Sequence, residues 1–216
     1  KAADREGRRV RTLQDVDYLL GVSDVSRLGA LCFRLEEGGP FLSERGQGVP
    51  GTLELGRLLG ITERIARDEE TEDDLQMIFA PGSSLGGARP KASIIDQNGR
   101  LSIAKFPKET DGYSVETWEA VALDLAAQAG ITAAGHDLVV AGGKPVLISH
   151  RFDRDGEKRI PFLSALSLLG LKDGQHASYP ELVDVLTRFG ADAVADADEL
   201  YRRIAFNVLI SYRRLA

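Results

Sequence analysis

The sequence contains little cysteine, histidine and tryptophan, and it has no long apolar stretch. Its 216 residues include one cysteine, one tryptophan and three histidines. The single cysteine, Cys32, excludes an intrachain disulfide framework and a cysteine-rich zinc site, and it is typical of a reducing cytosol. No apolar run approaches the ~18 residues that a membrane-spanning helix needs, and no signal peptide is evident. We therefore expect a cytoplasmic globular protein that does not bind a membrane.

The charge balance is mildly acidic, with 33 Asp and Glu against 27 Lys and Arg and a formal net charge of -6. A protein that coats nucleic acid needs a basic face to neutralise phosphates, so this balance argues against broad nucleic-acid binding.

The length suits one large domain or two small ones. Because the chain begins at Lys1 rather than at a methionine, we expect it to be a piece of a longer protein.

The first 80 residues have mainly helical patterns. Thr12 and Asp15, and again Thr71 and Asp74, have the spacing of helix N-caps. The elements predicted here are a helix over Leu13–Leu20, a strand over Gly29–Leu35, a helix from Leu53 to about Arg67 and a helix over Leu75–Ala80.

The remainder of the sequence predicts two hairpins around a helix. Asn98-Gly99 is a strong hairpin signal, and apolar residues recur every three or four positions between Ser114 and Gly130, which predicts that Trp118 lies in the core. The predicted elements are strands over Lys91–Asp96, Leu101–Phe106, Asp137–Ala141 and Pro145–Phe152, and helices over 114–130, Pro180–Phe189 and Asp198–Ser211. This order predicts an α+β fold in which an antiparallel sheet carries a helix on one face.

Two features could bind phosphate. The loop Gly82–Ala88 is built from small residues, but it lacks the lysine of a Walker motif, and composition alone favours a flexible turn. Lys105 lies near the end of an apolar strand. It is either a solvated edge charge or a cation held near nucleotide phosphates by Glu116 or Glu119 of the next helix. Spacing alone leaves both interpretations open.

The charged turn at Asp153 and Asp155 has the composition of a solvated turn, which we favour over a metal site. His136 and His176 have no second ligand at metal spacing, so we assign them no role.

Several segments of the sequence form a recognisable set in a fixed order. They are SLGGARPK at 84–91, IAKFP at 103–107, VETWE at 115–119, RFDR at 151–154 and LYRRIAFNVLIS at 200–211. Together these segments resemble HipA-type kinases, the toxin halves of bacterial toxin–antitoxin modules. The N-terminal segments 18–22 and 27–30 are also similar to that family, so that the likeness spans about residues 12–211.

The resemblance implies a protein-kinase-like fold and a toxin activity. It implies an N-terminal subdomain over 1–80, an N-lobe over 81–155 and the start of a helical C-lobe over 156–216. The implied activity is ATP-dependent phosphorylation of serine or threonine in a protein of the translation machinery, such as an aminoacyl-tRNA synthetase, which arrests growth. The implied partner is a HipB-like DNA-binding antitoxin, so that DNA is reached only indirectly.

The resemblance also implies site residues by position. Lys105 would contact the α- and β-phosphates, with Glu116 the preferred helix partner, and Ser84 would be the autophosphorylated serine of the loop. The hinge, whose backbone meets adenine, would be His150, Arg151 and Phe152, although many family members have glutamate where His150 stands. The phosphate loop would comprise Gly86, Gly87, Ala88, Arg89, Pro90 and Lys91.

The sequence departs from the family after Ser211. There the family continues into a catalytic loop of the type Asn-Thr-Asp-Asp-His and, later, an aspartate that binds Mg²⁺, whereas this chain reads YRRLA. We expect the Mg²⁺ ligands and the catalytic aspartate to lie outside this sequence, and phosphoryl transfer to fail without them. The alternatives are a catalytically inactive fragment that acts as a binding or regulatory protein, and a small-molecule kinase of related fold.

Overall fold

The computed structural model describes residues 12, 14–20, 23–42, 49–79, 89–172 and 174–210. The chain forms two compact units, one from residues 1–120 with 134–161 and the other from residues 121–133 with 162–216. The mixture of helices and antiparallel sheet confirms the α+β prediction. The domain boundaries predicted at 80/81 and 155/156 stay predictions.

Among the described residues, the N-terminal part of the first unit contains three helices and one turn of 3₁₀ helix. Thr71 caps the third helix as predicted: its Oγ1 accepts a hydrogen bond from Asp74 N at 3.2 Å, while Asp74 Oδ2 accepts from Thr71 N at 2.9 Å. The elements are α1 (Asp15–Leu20), the 3₁₀ turn (Thr52–Glu54), α2 (Leu55–Ala66) and α3 (Glu72–Phe79).

The strand predicted over Gly29–Leu35 is wrong. In this segment the structure has only an isolated bridge between Arg34 and Phe41. The carbonyl oxygens that a neighbouring strand would use instead accept from arginine side chains, since Gly29 O accepts from Arg154 at 3.1 Å and from Arg159 at 3.2 Å.

The sheet of the first unit is made from the two predicted hairpins. Its four strands are β1 (Lys91–Ile95), β2 (Leu101–Lys105), β3 (His136–Ala141) and β4 (Lys144–His150). They are antiparallel throughout, in the order β1-β2-β4-β3. Two-residue strands at Arg154–Asp155 (β5) and Lys158–Arg159 (β6) form a separate ribbon.

One face of this sheet packs against α2 and forms the core. Side chains alternate between the two faces of a strand, so every second residue enters this core. The buried members are Leu55, Leu58, Leu59 and Ile61 of α2, Ile78 of α3, and Ala92, Ile94, Ala104, Phe106, Val146 and Ile148 of the sheet. The candidate site lies on the opposite face of the sheet.

The helix after β2, α4 (Val115–Gln128), begins at the predicted position, where Ser114 Oγ accepts from Thr117 N at 3.3 Å. The prediction that Trp118 lies in the core is wrong, because its side chain is 63% exposed. Glu116 and Ala120 are buried instead. The buried face of the helix start therefore carries an ion-paired carboxylate as well as an apolar residue.

The second unit is helical. Its helix caps are Ser164, Ser178 and Asp192, and the last helix begins at Ala193 rather than at the predicted Asp198 because Asp192 Oδ1 accepts from Ala195 N at 3.1 Å. The helices are α5 (Ala165–Leu168), α6 (Tyr179–Phe189) and α7 (Ala193–Leu209). No helix in the described ranges combines the length and apolar composition that crossing a membrane requires.

Candidate functional site

Two lysines lie directly opposite each other on the sheet face away from the core. Lys91 pairs with Lys105 in the register of β1 and β2, and directly paired residues project their side chains from the same face. Burial lowers the pKa of Lys91, and the positive charge of Lys105 lowers it further, against an opposing effect of Glu119. The mutual repulsion of the two ammonium groups makes this part of the sheet suited to an anion.

Lys105 pairs with Glu119 of α4, at 2.5 Å between Nζ and Oε1. From the sequence, Glu116 is the preferred partner of Lys105, but in the structure the partner is Glu119. Glu116 pairs with Arg89 instead, at 2.7 Å, and its side chain is only 1% exposed. Glu116 and Glu119 lie one helical turn apart on the same face, so spacing could not separate them.

Arg89, which lies two residues before β1, is linked by ion pairs to Asp111 and to Glu116 at the start of α4. Its guanidinium donates to both carboxylate oxygens of Asp111, at 3.0 and 2.6 Å, in addition to Glu116. The hydrogen bond from Arg89 lowers the pKa of Asp111 to about 2, while the same bond raises the pKa of Arg89. The Arg89 side chain thus contacts carboxylates in this structure.

The other predicted residues of the phosphate loop are only partly described. Pro90 extends the hairpin, since its carbonyl oxygen accepts from Phe106 N at 3.0 Å. Ser84, Gly86, Gly87 and Ala88 lie outside the described residues, so their predicted roles stay predictions.

At the predicted hinge, His150 ends β4 and lies among charged groups. Its Nε2 is 2.9 Å from Asp137 Oδ2, 3.0 Å from Arg100 Nη2 and 3.7 Å from Asp96 Oδ2. Burial would raise the pKa of Asp96, but hydrogen bonds from the backbone amides of Arg100 and Asn98 lower it. These contacts hold the imidazole on the side of β4 that faces the core.

The Arg151 side chain is buried in a cluster of charged groups that we call the arginine cluster, formed by Arg151, Asp153, Arg154 and Arg159. Arg151 donates to Asp153 at 2.8 and 2.5 Å, to Ser26 O at 2.6 Å and to Arg27 O at 2.9 Å. The Arg151 guanidinium is therefore hydrogen-bonded to the backbone of the N-terminal segment. Phe152, by contrast, is 66% exposed.

The prediction of a solvated turn holds for Asp155, which is exposed, but it is wrong for Asp153, which is completely buried. Sequence reasoning also missed Asp24, which is completely buried and accepts from Arg27 Nε at 2.5 Å and from Phe33 N at 2.7 Å. The backbone groups that satisfy the arginine cluster lie about 124 residues upstream, so local spacing contained no signal for it.

Metal-binding potential is limited in the part of the chain that the structure describes. Among those residues no three His, Cys, Asp or Glu side chains are grouped so that they could hold a metal ion. We therefore assign Mg²⁺ to no described residue.

Comparison with solved structures identifies a similar chain in the toxin–antitoxin complex of HipA, HipB and operator DNA from Shewanella oneidensis MR-1. The match has a TM-score of 0.61 at 20% sequence identity and covers 97% of the present chain. It covers 54% of the other chain, so the present chain spans about half the length of that relative. At this identity the likeness shows the fold alone.

Comparison with curated proteins gives no match. The family model described as the HipA-like C-terminal domain matches residues 83–213, which is more than half of the chain and includes the lysine pair, the arginine cluster and most of the second unit. The chain therefore belongs to the HipA-like C-terminal domain family.

Proposed function

We propose that the chain is the nucleotide-binding part of a HipA-like toxin kinase that uses ATP to phosphorylate serine or threonine. The observation that carries this proposal is the pair Lys91 and Lys105, which face the same side of the sheet, with Lys105 held by Glu119. A lysine oriented by a helix glutamate is how protein kinases hold the phosphates of ATP.

The electrostatics of the lysine pair support a polyphosphate ligand. A phosphate group between two like charges removes their repulsion, and charge-assisted hydrogen bonds to phosphate are among the strong ones. ATP would supply the γ-phosphoryl group for transfer, and Lys91 and Lys105 would hold its phosphates. The backbone of His150, Arg151 and Phe152 would meet the adenine, since the Arg151 side chain is already bound in the arginine cluster.

We further propose Ser84 as the autophosphorylation site. It precedes the predicted phosphate loop by two residues. A phosphoserine adds about -1.5 to -2 charge close to where ATP phosphates would bind, so phosphorylation would oppose ATP binding.

The proposed partner is a HipB-like antitoxin, because the structurally similar chain comes from a complex of HipA with HipB and operator DNA. DNA would be reached through that antitoxin. We propose that the protein substrate belongs to the translation machinery, such as an aminoacyl-tRNA synthetase, a target class that the family resemblance implies.

The test uses the full-length protein, incubated with Mg-ATP and analysed by mass spectrometry. We expect phosphate on Ser84 in the wild type and none in Lys105→Ala. The same substitution should weaken ATP binding about 10- to 100-fold, because it removes one charge-assisted phosphate contact.

Lys144→Ala is the matched control. Lys144 is also a lysine of this sheet paired with a glutamate, since its Nζ lies 2.8 Å from Glu63 Oε1. Its loss should leave ATP affinity and Ser84 phosphorylation unchanged. Equal phosphorylation of wild type and Lys105→Ala would contradict the role of Lys105, and modification only at Ser83 would contradict that of Ser84.

A further inference from the structure

Arg89 connects two parts of the candidate site. It stands two residues before Lys91, and its guanidinium contacts Asp111 in the segment before α4 and Glu116 in the first turn of α4. Asp111 Oδ2 also accepts from Lys108 N at 2.8 Å, so the same carboxylate orders the segment that leads into the helix. Arg89 therefore cross-links the start of β1 to the start of α4.

The first turns of α4 carry two carboxylates, and one of them pairs with Lys105. Glu116 and Glu119 are three residues apart, and side chains at that spacing are neighbours on one helix face. Both could pair with Lys105, yet the structure pairs Lys105 with Glu119 and Arg89 with Glu116. Among the described residues, the second oxygen of Glu116, Oε2, is buried without a hydrogen-bond partner. Glu116 is thus a buried carboxylate with unused capacity to accept.

We propose that Arg89 is a positioning residue for the nucleotide site: it holds Glu116 and Asp111, and thereby leaves Glu119 as the carboxylate that orients Lys105. The inference depends on the proposed function only for the consequence that ATP affinity falls when Arg89 is lost. The planar guanidinium suits the task, because it binds both oxygens of Asp111 and still reaches Glu116, a geometry that the single ammonium of lysine does not reproduce.

Loss of Arg89 leaves the buried Glu116 carboxylate without this cation. Glu116 then competes with Glu119 for Lys105, and the first turn of α4 is no longer tied to the strand. This differs from direct phosphate binding by the Arg89 side chain, which would make its effect independent of Glu116.

The first measurement is hydrogen exchange of the backbone amides of residues 115–120 in the full-length protein without nucleotide. We expect faster exchange in Arg89→Met than in the wild type. Arg67→Met is the matched control, since the described ion pair of Arg67 is with Glu109 of the segment before α4 rather than with a residue of the helix. Unchanged exchange in Arg89→Met, or an equal change in Arg67→Met, would overturn the proposal.

The second measurement is a double-mutant cycle on the affinity for ATP. Arg89→Met should weaken ATP binding about tenfold in the wild-type background, and have little effect in the Glu116→Gln background, because interacting residues are not additive. Equal loss in both backgrounds would show direct phosphate binding and overturn the proposal. Where Arg89→Met does not fold, Arg89→Lys serves in the same cycle with a smaller expected loss.

The two measurements separate the inference from the proposed function. If the wild type binds no ATP, the proposed function fails, while the exchange of residues 115–120 still decides whether Arg89 holds the start of α4.

Discussion

Asp153 is a completely buried carboxylate with donors from three residues. Its oxygens accept from Arg151, from Arg154 Nη1 at 2.7 Å and from Gly29 N at 2.7 Å. Burial would raise its pKa, but the hydrogen bonds from Arg151 and Gly29 and the charges of Arg151 and Arg154 outweigh this, and the pKa falls to about 2. Asp153 is therefore ionised and holds the turn after β4 to the N-terminal segment.

We predict that Asp153→Asn destabilises the protein by about 3–5 kcal/mol, because it leaves buried guanidinium groups without their counter-charge. Urea unfolding followed by circular dichroism measures the change. The control is Asp155→Asn, two residues away and exposed, which should change the free energy of unfolding by less than about 0.5 kcal/mol. Similar losses in both variants would contradict the role assigned to Asp153.

At the residue scale, sequence reasoning recognised Lys105 as a candidate but not its surroundings. The apolar strand and the following helix allowed both a solvated edge lysine and a lysine facing a helix carboxylate. The choice between Glu116 and Glu119 depends on Arg89, which lies more than 20 residues upstream of both. Likewise, Asp153 depends on the amide of Gly29, so its own neighbours in the sequence suggested only a solvated turn.

At the element scale, the turn between β3 and β4 is tightly constrained. Gly142 has φ of 56° and Gly143 has φ of 77°, which is the left-handed region that favours glycine. A Cβ at Gly142 would lie 3.1 Å from Leu59 Cδ2 of α2, whereas a Cβ at Gly143 would have nothing within 4 Å. The turn is thus packed against the core on one side only.

We predict that Gly142→Ala destabilises the protein more than Gly143→Ala does. In both variants an alanine must adopt a positive φ, which costs about 1–2 kcal/mol of stability each. Only in Gly142→Ala does the new Cβ also lie close to Leu59. Urea unfolding of the two variants gives the comparison. A larger loss for Gly143→Ala would contradict the packing described for this turn.

Elements with strong local signals were predicted correctly. The two hairpins and the helices α2, α4 and α6 follow from turn residues, caps and apolar periodicity. The prediction of a strand over Gly29–Leu35 fails because β propensity cannot indicate that distant arginine side chains donate hydrogen bonds to carbonyl oxygens of this segment. The prediction for Trp118 fails because the buried side of the helix start carries Glu116 and Ala120, and Glu116 and Glu119 form ion pairs with Arg89 and Lys105.

At the scale of the whole molecule, the ion pairs of the first unit make the free energy of unfolding decrease at acid pH. The pKa of Asp153 and that of Asp111 are each about 2, and the hydrogen bond from Arg64 lowers the pKa of Asp74 well below its usual range. A carboxyl group whose pKa is lower in the folded state binds protons more readily when unfolded. Its stabilising contribution is complete above the unfolded pKa and is lost as the pH falls through the folded pKa.

We predict that the free energy of unfolding stays level down to about pH 5, where unfolded aspartates begin to bind protons, and then falls steeply toward pH 2. Urea unfolding at a series of pH values measures this. The Asp111→Asn variant, which removes one of the carboxyl groups, should lose less stability over the same range. An equal loss in that variant would contradict the contribution of the Arg89–Asp111 pair.

In the proposed nucleotide site, Lys91 and Lys105 together bind the phosphates. The most direct measurement is the pKa of Lys91, followed by NMR of side-chain-labelled lysine with and without a non-hydrolysable ATP analogue. In the free protein, burial and the charge of Lys105 lower this pKa. The account predicts that the analogue raises the pKa of Lys91 and leaves that of Lys144 unchanged, whereas an unchanged Lys91 at saturating analogue would contradict it.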